Sequence, residues 1–160
     1  MSNKKNILNK NRIFIYTDGA CESKIGGAGG WAFIVVKSDT DEEFSLVGGQ
    51  EVTTINRMEL QAVIEALEYF KEPRIITIKS DSQYAINCCF RWLSGFKEKN
   101  WIKSDGEEVK NRELLEIIDE LISFHKVTFE WVKGHSGDTF NERANELANK
   151  ERCYPEIVQW

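Results

Sequence analysis

The chain has 160 residues, 41% of them hydrophobic and 11% aromatic, and this length supports one well-packed domain rather than two. Its formal net charge of −5 excludes a basic character of the whole molecule, so any contact with nucleic acid has to rest on a local surface or on metal ions. No apolar signal peptide or 18-residue apolar run is present, and the cysteines have no C-x-x-C spacing. We therefore expect a cytoplasmic protein with reduced thiols that does not enter a membrane.

The first third of the chain has the composition of β-structure. Residues 1–12 are polar and basic, and we interpret them as a flexible tail. "RIFIYTDG" is rich in β-branched and aromatic residues and ends in an Asp-Gly turn signal, which predicts a first strand. Two more strands are predicted in "GGAGGWAFIVVK" and "EFSLVGGQEV". Residues 13–53 are therefore expected to form an antiparallel meander.

The remaining two thirds alternate between helical and strand patterns. Apolar residues keep helical spacing through "NRMELQAVIEALEYFKE", up to Pro73. The order β-β-β-α-β-α-α-β-α predicts an α/β fold with a five-stranded mixed sheet and helices packed on it. We expect a single domain over residues 13–152 and a C-terminal tail over residues 153–160. The later elements are predicted in "RIITIKS" (strand), "DSQYAINCCFRWL" (helix), "NRELLEIIDELISFH" (helix), "VTFEWVK" (strand) and from Thr139 onward (helix).

Three acidic residues stand where this order of elements brings distant segments together. Asp18 ends the first strand, Asp81 ends the fourth, and Glu59 lies near the start of the first helix. A β-α-β crossover favours parallel pairing of strands one and four, so their carboxyl ends meet at the edge where ligands of α/β sheets bind. Three carboxylates this close repel one another unless cations neutralise them, and an oxygen-only ligand set suits Mg²⁺ or Mn²⁺.

Each acidic residue also has a purely structural interpretation. Asp18-Gly19 is a turn signal, Asn56-x-x-Glu59 matches a capping box, and Asp81-Ser82 matches a helix N-cap. Taken singly, the structural interpretations are favoured, because caps are far commoner than metal sites. Their coincidence at one edge of the sheet favours the metal site.

Four motifs resemble, in order and spacing, those of type 1 ribonuclease H: "YTDGAC", "TTINRMEL", "SDSQY" and "VKGHSGDTFNERANELA". The resemblance covers about residues 13–150 and implies the ribonuclease H-like fold. It also implies an endonuclease that cuts the RNA strand of an RNA–DNA hybrid, leaving 5′-phosphate and 3′-hydroxyl ends. The cofactor implied is a pair of Mg²⁺ ions, with Mn²⁺ as a substitute. We expect a monomer whose partner is RNA–DNA hybrid and not a membrane.

Carried over by position, the resemblance implies metal-binding carboxylates at Asp18, Glu59 and Asp81, with Asp18 bridging the ions. His135 resembles the loop histidine that assists proton movement or product release. The fourth carboxylate of the family, normally an Asp on the water-activating side, falls on Asn145. An amide oxygen lacks the full charge, so we expect the ion on that side to bind more weakly and the cleavage rate to be impaired.

Alternatives remain open for both residues of this last motif. Asn145 also reads as a polar surface residue in a helix begun by a Thr139-x-x-Glu142 capping box, and His135 as a histidine facing solvent. His125 ends an apolar helix, where a positive charge favours the helix C-terminus, and we assign it no chemistry.

Four side chains resemble the family's contacts with the two nucleic-acid strands. Thr54 and Asn111 resemble a pocket for a phosphate of the DNA strand. Asn56 and Gln83 resemble side chains that read the RNA minor groove, where 2′-hydroxyls distinguish RNA from DNA.

Two further segments resemble substrate contacts. Cys21 and Glu22 are expected to lie near the RNA strand through backbone groups, although their loop is one residue longer than is usual. Residues 91–111 resemble the family's basic protrusion, in which Trp92 and Phe96 supply aromatic contacts with the DNA strand. Four acidic residues oppose the lysines of this segment, so we expect weaker and less salt-sensitive binding than a strongly basic protrusion gives.

Two functional hypotheses follow. The first is a metal-dependent ribonuclease that cleaves the RNA of hybrids, impaired at Asn145. The second is a non-catalytic module that binds RNA–DNA hybrid, and cleavage in Mg²⁺ or Mn²⁺ separates the two. Another nuclease or an integrase of the same fold is a weaker alternative.

Overall fold

The computed structural model describes residues 12–23, 26–37 and 43–153, so most of both predicted tails lies outside the described residues. Five strands form one sheet in the order β3-β2-β1-β4-β5. The first three strands are antiparallel neighbours, whereas β4 pairs parallel with both β1 and β5. The predicted mixed sheet is thereby confirmed. The strands are β1 (Arg12–Cys21), β2 (Gly27–Lys37), β3 (Glu43–Thr53), β4 (Ile75–Ser80) and β5 (Lys126–Trp131).

Helices cover both faces of this sheet because alternate residues of β1 point to opposite sides. Ile13 and Ile15 belong to a core shared with the helices of residues 55–68 and 112–124. Tyr16, by contrast, packs with Ala144 of the helix of residues 139–153. No helix of the described chain is long and apolar enough to cross a membrane. The helices are α1 (Ile55–Glu68), α2 (Gln83–Ile86), a π-helical segment (Asn87–Trp92), α3 (Leu93–Glu98), α4 (Arg112–Phe124) and α5 (Thr139–Cys153).

The residues that cap α1 and α5 differ from those predicted, whereas at α2 the cap belongs to the predicted pair Asp81-Ser82. Thr54 caps α1 by accepting the Arg57 N–H, so the capping box at Asn56 is wrong. Ser82, rather than Asp81, caps α2 by accepting the Ala85 N–H. At α5 the carboxylate of Asp138 accepts the Asn141 N–H. The predicted capping box Thr139-x-x-Glu142 is therefore wrong, because the capping residue is Asp138, one position earlier. Asp81 is therefore not used as a helix cap.

The helix predicted in "DSQYAINCCFRWL" continues to Glu98 and contains a π-helical segment. An additional residue in this turn shifts the buried side of the helix. Cys88, Cys89 and Leu93 are buried, whereas Phe90 and Trp92 are exposed. Burial raises the pKa of the Cys88 thiol to about 11, which keeps it protonated. The deviation from helical period was not predicted, because apolar spacing alone fits an ordinary α-helix.

His125 is the C-cap of α4 and joins two other elements through its ring. The side chain is 5% exposed. Its Nδ1 accepts the Arg74 N–H at 3.0 Å, and its Nε2 lies 2.9 Å from the Leu67 carbonyl oxygen. The imidazole is therefore the neutral form protonated on Nε2, because a protonated ring has no acceptor for the Arg74 amide. The predicted role of a positive His125 at the helix end is wrong.

Candidate active site

The ends of β1 and β4 bring two aspartates together. Tyr16 of β1 is paired with Lys79 of β4, and Asp18 and Asp81 each follow two residues later in the same direction. Asp18, Glu59 and Asp81 each present one carboxylate oxygen within 4.8 Å of the others. The structure therefore brings together all three acidic side chains that the motifs indicated.

Gly19 allows Glu59 to approach Asp18. A Cβ built on Gly19 would lie 2.4 Å from the Glu59 nitrogen and 2.5 Å from the Met58 carbonyl carbon. Both atoms are backbone, so a side chain at this position would separate the end of β1 from α1. Glycine is required here by the close approach of two chain segments, and the Asp-Gly pair is more than a turn signal.

The acidic cluster is buried and repels its own charge. Asp18 is 2% exposed and Glu59 is 6% exposed. Burial, with the charge of Asp81 added, raises the pKa of Asp18 to about 6. Burial first and the Asp18 carboxylate second raise the pKa of Glu59 well above its ordinary value.

The donor set of this cluster fits a divalent cation. Its candidate ligand atoms are all carboxylate oxygens, which suits Mg²⁺ or Mn²⁺. Glu59 Oε2 is buried and has no hydrogen-bond partner among the described residues. A buried acceptor without a partner is costly, and a cation supplies the missing interaction. The acidic cluster can therefore hold a metal.

Asn145 projects from α5 onto the same cluster. Its Nδ2 donates to Asp18 Oδ2 at 2.9 Å, which excludes a side chain that only faces solvent. Its Oδ1 lies 3.2 Å from Nδ2 of Asn149, one helical turn later. The amide therefore presents its donor, rather than the expected carbonyl oxygen, to the carboxylates. Asn149 was missed from the sequence, although its i+4 spacing from Asn145 on a helix was a usable signal.

His135 lies in the loop between β5 and α5, beside Asp81. The residue is exposed and has a left-handed backbone with φ of 55°. A Cβ built on the preceding Gly134 would lie 2.9 Å from Asp81 Oδ2, so the loop passes directly against this carboxylate. Trp131, at the end of β5, also contacts this aspartate: its Nε1–H donates to the Asp81 backbone carbonyl oxygen at 3.1 Å.

The predicted phosphate pocket contains an arginine that sequence reasoning missed. Thr54 Oγ1 accepts the Arg57 N–H, and Asn111 Oδ1 accepts from Arg57 Nη1 at 3.1 Å. Asn111 Nδ2 donates to the Tyr84 hydroxyl at 2.8 Å, so both ends of this amide have partners. Glu113 pairs with Arg57 at 2.5 Å and offsets its charge. Thr54 and Asn111 are thus both bonded to Arg57, Thr54 through the backbone N–H and Asn111 through the guanidinium group.

The two predicted minor-groove readers are exposed at helix starts beside the cluster. Asn56 lies in the first turn of α1, and Gln83 begins α2 two residues after Asp81. Gln83 lines an open cleft with Ile86, Asn87, Arg91 and Trp131. Asn87 and Arg91 follow Gln83 at intervals of four residues, a spacing that could have indicated them from the sequence.

The backbone groups of the predicted RNA-strand contacts already have partners within the protein. The Glu22 N–H donates to the Ala28 carbonyl oxygen at 2.8 Å. The Cys21 carbonyl oxygen accepts from Arg152 Nη1 at 3.3 Å, and its thiol is buried near the Thr53 carbonyl. The Glu22 side chain is exposed. The Glu22 side chain is available to a substrate here, and the Cys21 carbonyl oxygen can accept a second bond.

The aromatic residues of the protrusion form one chain of ring contacts. Trp92 and Phe96 have ring centroids 6.4 Å apart, and Phe96 and Trp101 are 6.2 Å apart. Trp101 is 8% exposed and belongs to the core, whereas Trp92 is exposed.

Two lysines of the segment are engaged in ion pairs within the protein: Lys97 with Asp119 at 3.0 Å, and Lys103 with Asp105 at 3.5 Å.

Solved structures share this arrangement of strands and helices. LC9-RNase H1, described as a type 1 RNase H with the type 2 active-site motif, has a TM-score of 0.79 to this chain at 25% sequence identity. The match covers 90% of this chain and 73% of that one. The fold and its acidic site thus define the class of ribonuclease H-like hydrolases.

Sequence relatives narrow this class to one family. The ribonuclease H of Thiobacillus denitrificans is 45% identical over 138 residues, which cover 86% of this chain and 91% of the relative. The ribonuclease H of Francisella tularensis subsp. novicida is 45% identical over 141 residues, which cover 88% and 91%. The RNase H family model matches residues 10–152. The chain belongs to the ribonuclease H family, the hydrolases that cleave the RNA strand of RNA–DNA hybrids, and the predicted resemblance is confirmed.

Proposed function

We propose that this chain cleaves the RNA of RNA–DNA hybrids at the acidic cluster with two Mg²⁺ ions, for which Mn²⁺ substitutes. The products would carry 5′-phosphate and 3′-hydroxyl ends. The meeting of Asp18, Glu59 and Asp81 within 4.8 Å is the observation that carries the proposal. When bound, such a pair of ions supplies an activated water and neutralises charge on the leaving 3′-oxygen.

We assign the three acidic residues and His135 different roles according to their positions. Asp18 is central, because one of its carboxylate oxygens lies within 4.8 Å of those of Glu59 and Asp81 and because it accepts from Asn145 Nδ2, so it would help to hold both ions. Glu59 and Asp81 would help to hold the ion that neutralises the leaving oxygen. His135, on the loop that passes Asp81, carries a proton to or from the reacting oxygens, since an imidazole nitrogen can both donate and accept a proton.

The RNA strand is assigned to the groups nearest the cluster. Asn56 and Gln83 are exposed and lie three residues before Glu59 and two residues after Asp81, and amide side chains there donate to and accept from 2′-hydroxyls in the minor groove. Cys21 and Glu22, at the end of β1, border the same edge. We propose that these four residues select RNA over DNA on the cleaved strand.

The DNA strand is assigned to the far side of the site. Thr54 accepts from the Arg57 backbone N–H and Asn111 from its guanidinium, and the guanidinium supplies charge for a phosphate when Glu113 is displaced or shared. Trp92 and Phe96 offer the aromatic surface that packs against deoxyribose.

Asn145 is proposed to lower the rate of the reaction. Its Nδ2 faces Asp18, so the fourth ligand contributes neither a charge nor, in this orientation, an oxygen. Asn145→Asp is expected to raise cleavage of hybrid by orders of magnitude, because water activation and charge stabilisation are each worth several kcal/mol. Affinity for hybrid should change little, since groove and phosphate contacts lie elsewhere.

One gel assay with a labelled RNA strand tests this proposal in Mg²⁺ and in Mn²⁺. Gln50→Glu is the matched control, because it converts an exposed side-chain amide on β3, to which no substrate contact is assigned, into a carboxylate. Full activity of the parent chain in Mg²⁺ without a gain from Asn145→Asp would contradict the proposed impairment. Hybrid binding without cleavage by either protein would establish the alternative of a non-catalytic binding module.

Several predictions made from the sequence stay predictions. They are the monomeric state, the cytoplasmic location and the extent of the domain over residues 13–152, with tails on either side.

A further inference from the structure

The amide of Asn145 is fixed from both sides by hydrogen bonds. Asn149 Nδ2 lies 2.8 Å from the backbone carbonyl oxygen of Asn145 and 3.2 Å from its side-chain oxygen, Oδ1. Asn145 Nδ2 in turn donates to Asp18 Oδ2 at 2.9 Å. The oxygen of this amide therefore lies on Asn149, and its nitrogen lies on the acidic cluster.

Hydrogen-bond chemistry dictates this orientation. The backbone carbonyl of Asn145 only accepts, so Asn149 has to direct its NH₂ group toward it. That NH₂ group also faces the Asn145 side chain, which therefore presents its oxygen to Asn149. An ionised Asp18 likewise only accepts, so it requires the nitrogen of Asn145. A reversed Asn145 amide would place two donors together on one side and two acceptors on the other.

We propose that Asn149 is a positioning residue that holds Asn145 as a hydrogen-bond donor to Asp18. A cation can use the Asn145 oxygen only after this amide turns over, which breaks both of its side-chain hydrogen bonds. The inference rests on the metal site proposed above. Asn149 would therefore affect the affinity for the more weakly bound ion without contacting any ion itself.

Calorimetric titration of the full chain with Mn²⁺ alone tests this role. Asn149→Ala keeps a good helix former on α5 and removes one of the two bonds that must break. The affinity for the weaker ion should therefore rise by about fivefold, the effect of about one hydrogen bond. An unchanged affinity in this variant would overturn the proposal.

The same substitution in an Asn145→Asp background is the matched control. A carboxylate has two equivalent oxygens and needs no turning, so Asn149→Ala should leave Mn²⁺ affinity within about twofold there. An equal gain in both backgrounds would mean that Asn149 acts through general effects on α5, and the positioning role would be wrong.

Side-chain amide NMR of the metal-free chain tests the orientation itself. The Asn145 NH₂ signals, assigned by their loss in Asn145→Asp, should be more widely separated than those of a solvent-exposed asparagine, because one proton donates to a carboxylate. Asn149→Ala should reduce this separation, because the amide then keeps only one of its two side-chain hydrogen bonds. A separation in the parent no wider than that of an exposed asparagine, or one unaffected by Asn149→Ala, would overturn the inference. This measurement needs no metal, so it decides the orientation even if the proposed catalysis fails.

Discussion

Asp18 combines burial, negative neighbours and a central position, so its charge is costly when no cation is present. The pKa of about 6 lies above the ordinary value of 3.8 for this side chain. The folded state therefore binds the proton more tightly than the unfolded state does. The cost of ionisation is absent below about pH 4 and complete above about pH 6.

Asp18→Asn should consequently stabilise the protein in EDTA at pH 7.5, by up to about 3 kcal/mol. The gain should disappear as the pH falls from about 6 to about 4, and it should shrink in Mg²⁺, which offsets the repulsion in the parent. Urea unfolding at a series of pH values measures it. A variant less stable than the parent at pH 7.5 in EDTA would show that the cluster is not under electrostatic strain.

Gly19 is the second residue on which the site depends. Gly19→Ala is expected to destabilise the fold by about 1–3 kcal/mol, because the added methyl meets backbone atoms that cannot move aside. It should also weaken Mn²⁺ binding by displacing Glu59 from Asp18. Thermal unfolding and Mn²⁺ calorimetry measure the two effects.

Gly95→Ala is the matched control for that substitution. Nothing lies within 4 Å of a Cβ built at Gly95, which is inside α3, so alanine there should be neutral or stabilising by about 1 kcal/mol. Equal effects of the two substitutions would mean that the close contact at Gly19 has no consequence for the site.

At the scale of elements, His125 joins the end of α4 to α1 and to the start of β4. His125→Leu keeps much of the apolar volume but leaves the Arg74 N–H and the Leu67 carbonyl without these partners. We expect a loss of about 2–3 kcal/mol in the free energy of unfolding, since buried polar groups are costly when unpaired. Denaturant titration near neutral pH measures it.

The chain contains one other histidine, which serves as the comparison. His135 is exposed, and His135→Asn should change stability by less than about 0.5 kcal/mol while reducing cleavage. Asparagine tolerates the left-handed backbone at this position. If His125→Leu were equally harmless, the ring would not be an important connection between these elements.

At the scale of the whole molecule, some of the basic side chains near the proposed DNA-strand contacts are paired with acidic residues in the described part of the chain. Lys97 is paired with Asp119, and Arg57 is paired with Glu113. Asp119→Asn should release Lys97 and steepen the dependence of hybrid affinity on salt by about one unit of slope. Fluorescence titrations at several salt concentrations measure the slope.

Glu65→Gln provides the matched change of net charge, because Glu65 accepts from Gln61 on α1 and pairs with no lysine in the described contacts. It should leave the salt slope unchanged. A slope that is the same for the parent, Asp119→Asn and Glu65→Gln would mean that Lys97 does not reach the DNA strand.

Much of this architecture follows from patterns that are local in the chain. Alternation in β1, helical spacing in α1 and the crossover between β1 and β4 predict the sheet and the meeting of Asp18 with Asp81. These features are readable because side-chain periodicity records which face of an element is buried. The resemblance to type 1 ribonuclease H, rather than periodicity, identified Asn145 as the unusual residue of the cluster.

Only the tertiary structure decided how these residues are presented. Asn145 and Asp18 are 127 residues apart in sequence, and no local pattern records which end of the amide faces the carboxylate. The role expected for His125 was wrong for the same reason, since its partners are Leu67 of α1 and Arg74, the residue before β4. Sequence patterns report burial, which is a property of one element. Hydrogen-bond direction depends on donors and acceptors from several elements, and it is determined only when they meet.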